Sequence, residues 1–321
     1  MADGDIPTEK DLVPAVEAPL VPPSPPAIEE LAVAGEAAAP APMAIPPRTR
    51  VERTITVLVY TLLLGIALLY FVPFLWMLST SFKTLPETAQ FTLLPKTWTI
   101  HGYREALSTF HFARYAANSV GLAATVTCLN VFLCALGGYA FARLKFPGRE
   151  VLFFGVLATL MVPDQLRLVP IFVKFTQWNL MGHYHAYVLV KLASAAQLFL
   201  FRQYFLTIPR DLEEAAKLDG AGYFKTFWRV MLPLAGPAIA AVAILEFEGT
   251  WNDFFWPLVI FNTTPSHYTL PVGIFSFVTT YQTNYPPLMA SSVIAIAPIA
   301  ALYIFFQRYF VAGVASAGVK G

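Results

Sequence analysis

The sequence predicts an all-α membrane protein with six transmembrane helices, and three observations carry that expectation. Charged residues make up 13% of the 321-residue chain and hydrophobic ones 57%, whereas soluble domains carry about 25% charge. The mean hydropathy is +0.59. Three runs, 54–82, 115–142 and 288–307, contain no charged residue. Each supplies the roughly 20 apolar residues that a helix needs to cross a bilayer core.

Taken in order, residues 1–47 differ from all that follows. They hold 11 prolines and eight acidic residues against one basic residue, Lys10. Such a stretch buries too little apolar surface to offset its ordering entropy, so it reads as a disordered tail or as a docking segment for a partner. It lacks a basic region followed by an apolar one and is not a secretory signal. Cys128 and Cys134 fit no zinc or CxxC spacing and read as packing residues. The five histidines show no metal spacing, so no metal is expected, and a net charge of +1 gives nucleic acid nothing to bind.

Three further spans are weaker. Residues 151–163 are apolar but short and continue through Asp164, Arg167 and Pro170 to Phe175; 186–201 carries Lys191; 237–261 includes Glu246, Glu248, Asn252 and Asp253. Basic residues set the orientation. With the N-terminus in the cytoplasm, the inner segments hold thirteen of them, from Arg48 through Arg143, Arg202 and Arg229 to Lys320, and the outer segments hold six. Both termini are then cytoplasmic. Trp76, Trp178 and Trp256 fall where interface anchors belong, and His183 and His185 lie in an outer loop.

The longest inner loop between spans, 207–233, reads as two helices around a turn. Pro209 suits a first helical turn, and Asp211, Glu213 and Glu214 complement the positive end of the helix dipole. Gly220 and Gly222 end this helix by entering the left-handed conformation. In the second helix Phe224, Phe227, Trp228 and Met231 share a face, and Pro233 stops it. That apolar face needs cover, from lipid, from the chain's own bundle, or from another protein.

Glu214-Ala215-Ala216, then Gly220, then Val230-Met231-Leu232-Pro233 resembles the EAA motif of ABC-importer permeases, with valine where the family has isoleucine. Trp251-Asn252-Asp253 is similar to a segment in the penultimate span of sugar permeases. The ending from Gly313 to Gly321 resembles the tail of maltose-type permeases, with Val314-Ala315 where leucine-threonine is usual. Ala142 to Gly148 also looks like the family, and the likeness covers 54–321.

The resemblance implies a type I ABC importer fold with a tail (1–47), a membrane domain (48–312) and a C-terminal tail (313–321). It implies that Glu213, Glu214, Ala215, Ala216, Asp219, Gly220, Ala221 and Gly222 form a coupling helix and turn that dock on a cytoplasmic ATPase dimer, and that Gly318 and Lys320 reach the same subunits. Further partners would be a homologous second permease, an extracytoplasmic substrate-binding protein and membrane lipid. The membrane would be the bacterial inner membrane. No GxxxxGK[ST] phosphate-binding loop occurs in the chain, so ATP and Mg²⁺ would sit on the partner.

Ionisable groups at membrane depth face a cavity or a partner. Asp164, Gln165, Arg167, Asn252 and Asp253 are candidates for a translocation path, although the last two also fit an outer end of a span or a helix–helix contact. Lys191 is expected to be satisfied by a carboxylate or carbonyl, and is a candidate partner for Glu246 or Glu248. The resulting expectation is a sugar or oligosaccharide importer permease, not an enzyme. The alternatives are uptake of a glycerol or polyol phosphate, and a stand-alone secondary transporter, whose inverted repeats are not evident.

Overall fold

Charge-free apolar runs become unbroken helices, and runs carrying proline or ionisable residues become broken ones. The computed structural model describes residues 50–90, 92–109, 111–278 and 283–318. Helix α1 (Arg50–Ser81) is followed by the short α2 (His101–Thr109) and then by α3 (Phe112–Arg143). Backbone groups at membrane depth have only one another as partners, so an apolar run of this length folds as helix.

The next three spans are bent. α4 (Arg149–Ala158), extended by a 3₁₀ turn to Met161, meets α5 (Asp164–Gln177) at 98°. Pro163 sets that break, since the residue before a proline is driven out of the helical region; Val162 is extended. α6 (Tyr184–Lys191) and α7 (Ala195–Thr207) meet at 49°, so the fourth span is broken where a continuous run was expected. α8 (Asp211–Leu218) leads into α9 (Tyr223–Leu234), which meets α10 (Gly236–Trp251) at 78°. The short α11 (Phe255–Ile260) and α12 (Leu270–Phe275) precede α13 (Tyr285–Gly318). Among the described residues three helices are long and apolar enough to cross a membrane alone, and the bent pairs bring the number of spans to as many as six. Among the described residues the one extended pairing is an isolated bridge between Val278 and Thr283.

The chain divides into two compact units, Met1–Ile66 and Ala67–Gly321. The described part of the first is the N-terminal half of α1. In the second, α3 is the axis of the core. At Gly138 it approaches α7 so closely that a β-carbon would lie 2.6 Å from the β-carbon of Phe201. Small residues allow such contact between membrane helices, where dispersion replaces the hydrophobic effect.

Three polar residues of α3, Asn118, Ser119 and Asn130, serve interruptions elsewhere. Asn130, fully buried, donates from Nδ2 to the Lys191 carbonyl (2.8 Å) and accepts the Ser194 N–H at Oδ1 (3.0 Å). It thereby replaces the helical hydrogen bonds lost at the α6–α7 break, where Ala193 holds a positive φ of 60°. Asn118 donates to the carbonyls of Ser266 and Tyr268, and Ser119 Oγ accepts the Leu270 N–H at the start of α12.

Two expectations are corrected here. Trp256 is no interface anchor but is 2% exposed, packed in a core with Tyr187 and Phe261. Cys134 is buried as expected, whereas Cys128 is exposed. Residues 1–47 and Lys320 lie outside the described residues, and Gly318 is the last residue of α13.

Candidate functional site

The 207–234 segment is built from two helices that are fastened by different means. α8 begins at Asp211, two residues after Pro209, with Asp211, Glu213 and Glu214 in its first turn. Helical periodicity then sorts its residues. Glu213 and Ala216, three apart, face inward and are buried, while Glu214, Ala215, Lys217, Leu218 and Asp219 face outward. Of the eight residues the motif places in a docking unit, Glu213 is therefore turned toward the chain itself. Its Oε1 lies 2.9 Å from Arg143 Nε, with both side chains under a tenth exposed. Arg143 also donates from Nη2 to the carbonyls of Phe205 and Ile208 at the end of α7.

Gly220 turns the chain with φ of 77°, a conformation that costs a β-carbon-bearing residue about 1–2 kcal/mol. Gly222 does not share that role: its φ is −71° and its ψ 168°, extended geometry open to any residue, and it caps the start of α9. Gly220 and Asp219 stand exposed, with Ala221 half-buried.

The expectation that four apolar residues of the second helix share one face is also revised. Phe227 and Met231 are fully buried with Tyr139, Phe201 and Phe205, which stabilises the docked helix by roughly 1.5–3 kcal/mol for each side chain. Phe224 and Trp228 instead stack on each other in the open, 67% and 51% exposed, with Trp228 edge-on to Phe132. Nor does Pro233 stop α9. The helix runs to Leu234 because Phe227–Met231 widens into a π turn, the Leu232 N–H bonding to the Phe227 carbonyl. This wider turn makes room for a proline ring, which in a regular α-helix would clash one turn back. Tyr204 of α7 then donates to the Leu234 carbonyl at 3.1 Å.

At membrane depth the ionisable residues pair differently from the expectation. Lys191 pairs with Asp253 (2.8 Å), not with Glu246 or Glu248. Asp253 also accepts from the Tyr187 hydroxyl at 3.0 Å, so it acts as a helix–helix contact between the two breaks. Glu246 is buried, accepting from Gln197 Nε2 and from Thr250 Oγ1 at 3.2 Å. Asp164 and Arg167 form an exposed i,i+3 pair beside exposed Gln165. Asn252 and Glu248 line an open, mostly apolar cavity of about 1190 Å³ between α10, α12 and α13, with Trp251, Phe254, Phe275 and Tyr303. The candidate path residues thus fall in three places and form no single cluster. Among the described residues no group of three His, Cys, Asp or Glu side chains could hold a metal ion.

The sequence pointed to Glu213 and Lys191 but not to their partners. Arg143 is a basic residue near a span end like several others, and Asn130 sits in a charge-free run. Their roles are set by where distant segments meet.

Residues 134–316 match the family described as binding-protein-dependent transport system inner membrane component. The arabinooligosaccharides transport system permease protein AraQ of Halalkalibacterium halodurans is 36% identical over 278 residues, spanning 84% of this chain and 99% of that protein. The trehalose/maltose transport system permease protein MalG of Thermococcus litoralis is 34% identical, over 85% and 99% of the two chains. Among solved structures, a bacterial ABC transporter that imports the acidic polysaccharide alginate superposes with a TM-score of 0.72 at 25% identity, covering 83% of this chain and 99% of that one.

Proposed function

The chain belongs to the family of binding-protein-dependent transport system inner membrane components, and from that premise we propose that it is one of two permease subunits of an ATP-driven oligosaccharide importer. Its N- and C-termini face the cytoplasm, as does the 207–234 loop, in keeping with the excess of basic residues on that side. A cytoplasmic ATPase dimer holds ATP and Mg²⁺. A binding protein delivers substrate on the opposite side, and a homologous permease completes the path.

The observation that supports this reading most is the exposed edge of α8. Glu214, Lys217, Asp219 and the Gly220 turn project from the bundle, while the other side of the same helix is held to the ends of α3 and α7. A helix pinned on one side and bare on the other is suited to receiving a push from a soluble partner. Here Glu214, Ala215, Asp219, Gly220 and Ala221 meet the ATPase, and Gly318 and Lys320 contribute from the tail.

Substrate is an uncharged or weakly charged oligosaccharide, in keeping with the relatives' arabino-oligosaccharide and trehalose/maltose transport. Asn252 and Glu248 with Phe254 and Tyr303 offer the amide, carboxylate and aromatic faces that sugars use. The test is reconstitution with its genomic neighbours in proteoliposomes, following uptake of labelled arabino-oligosaccharides, trehalose and maltose. Accumulation should need the ATPase and be lost on Glu214→Lys. Accumulation without the ATPase would overturn the reading.

A further inference from the structure

We infer that Arg143 is the positioning residue of the coupling helix: one guanidinium fixes α8 to the cytoplasmic ends of the second and fourth spans. The inference rests on the reading above that α8 is the helix the ATPase moves.

Arg143 is the last residue of α3, and its side chain is 4% exposed. Its Nη2 faces the carbonyls of Phe205, in the last turn of α7, and of Ile208, which follows that helix. The last carbonyls of a helix have no partner within it and form the negative end of its dipole. The Nε edge of the same plane lies 2.9 Å from Glu213 in the first turn of α8. Three helix ends, two C-terminal and one N-terminal, therefore converge on a single planar cation. The planar head matters, because Nη2 donates to both carbonyls while Nε holds Glu213 by charge, without a hydrogen bond, and the compact ammonium of lysine lacks that fixed geometry.

What this arrangement supplies is direction rather than stability. Desolvating two charges consumes much of what their attraction returns, so the pair is a poor means of holding a protein folded. It is a good means of making α8 move with α3 and α7. The other half of the loop is fastened independently, through Phe227 and Met231 in the core and Tyr204 on the Leu234 carbonyl. Loss of Arg143 accordingly frees α8 and leaves α9 in place.

The test uses the full chain assembled with its partner subunits in nanodiscs, in a Cys128→Ser, Cys134→Ala background. A spin label is placed at Leu218→Cys, 90% exposed on α8, or at Phe224→Cys on α9. With Arg143→Gln and with Arg143→Lys, the label at 218 should become several-fold more mobile while the label at 224 is unchanged. In proteoliposomes the ATP hydrolysed per sugar imported should rise several-fold, and Glu213→Gln should give the same result in weaker form. An unchanged label at 218 overturns the inference. Mobility gained equally at 218 and 224 also overturns it, since Arg143 would then merely support the fold. A freed α8 with an unaltered ATP-to-sugar ratio upholds Arg143 as the fastening and refutes instead the assignment of α8 as coupling helix.

Discussion

Two buried ion pairs, Arg143–Glu213 and Lys191–Asp253, have nearly the same length, 2.9 and 2.8 Å, yet do different work. The first is the drier, with side chains 4% and 9% exposed against 22% and 8%. Dryness alone would make it the more costly to break. The partners left behind suggest the reverse. Without Arg143, Glu213 can follow α8 outward into water, because α8 is a short excursion whose one buried apolar side chain is the small Ala216. Without Lys191, Asp253 has nowhere to go. It lies in the break between α10 and α11, between spans, with the Tyr187 hydroxyl as its other side-chain partner. The cost of breaking a buried pair depends on whether the orphaned charge can leave.

That contrast can be broken by measurement. Lys191→Met should have the largest effect, destabilising by about 3–5 kcal/mol as expected for a stranded buried charge, seen as a fall in melting temperature of the purified protein. Adding Asp253→Leu should recover more than half of it. Asn130→Ala comes next, at about 1–3 kcal/mol, because it leaves a part-buried carbonyl and N–H at the α6–α7 break unsatisfied. Arg143→Gln should cost only about 1 kcal/mol while still uncoupling transport. A melting shift as large as that of Lys191→Met would show that α8 cannot swing free. Glu214→Gln should be smallest, within about 0.5 kcal/mol as for other exposed sites, with its effect confined to uptake.

How much of this was legible depended on whether cause and effect lay close in sequence. The runs that became α1, α3 and α13 were visible because an uninterrupted apolar stretch of that length has few other fates. The break before α5 was signalled by Pro163. The break at 192–194 was not, since Leu192-Ala193-Ser194 contains neither proline nor glycine and is held open by Asn130 on another helix. The inward turn of Glu213 was readable in principle from its spacing to Ala216, three residues on. The pairing of Lys191 with Asp253, rather than with Glu246, follows from how two broken helices are set side by side, which no local pattern encodes. The revised reading of α9 has the same origin: periodicity grouped four apolar residues, and the π turn separated them.

The π turn at Phe227–Met231 also makes length a specification in its own right. A substitution within it changes one side chain. Deleting one residue, such as Val230, would let α9 close as a regular helix with Leu232 still bonded to the Phe227 carbonyl, and would bring the Pro233 ring against the carbonyl one turn back. That clash would kink the helix just where the chain enters the fifth span, straining the Tyr204 bond to the Leu234 carbonyl. Between the buried Phe227 and Met231 this loop should therefore accept changes of letter at 228–230 and no change of count.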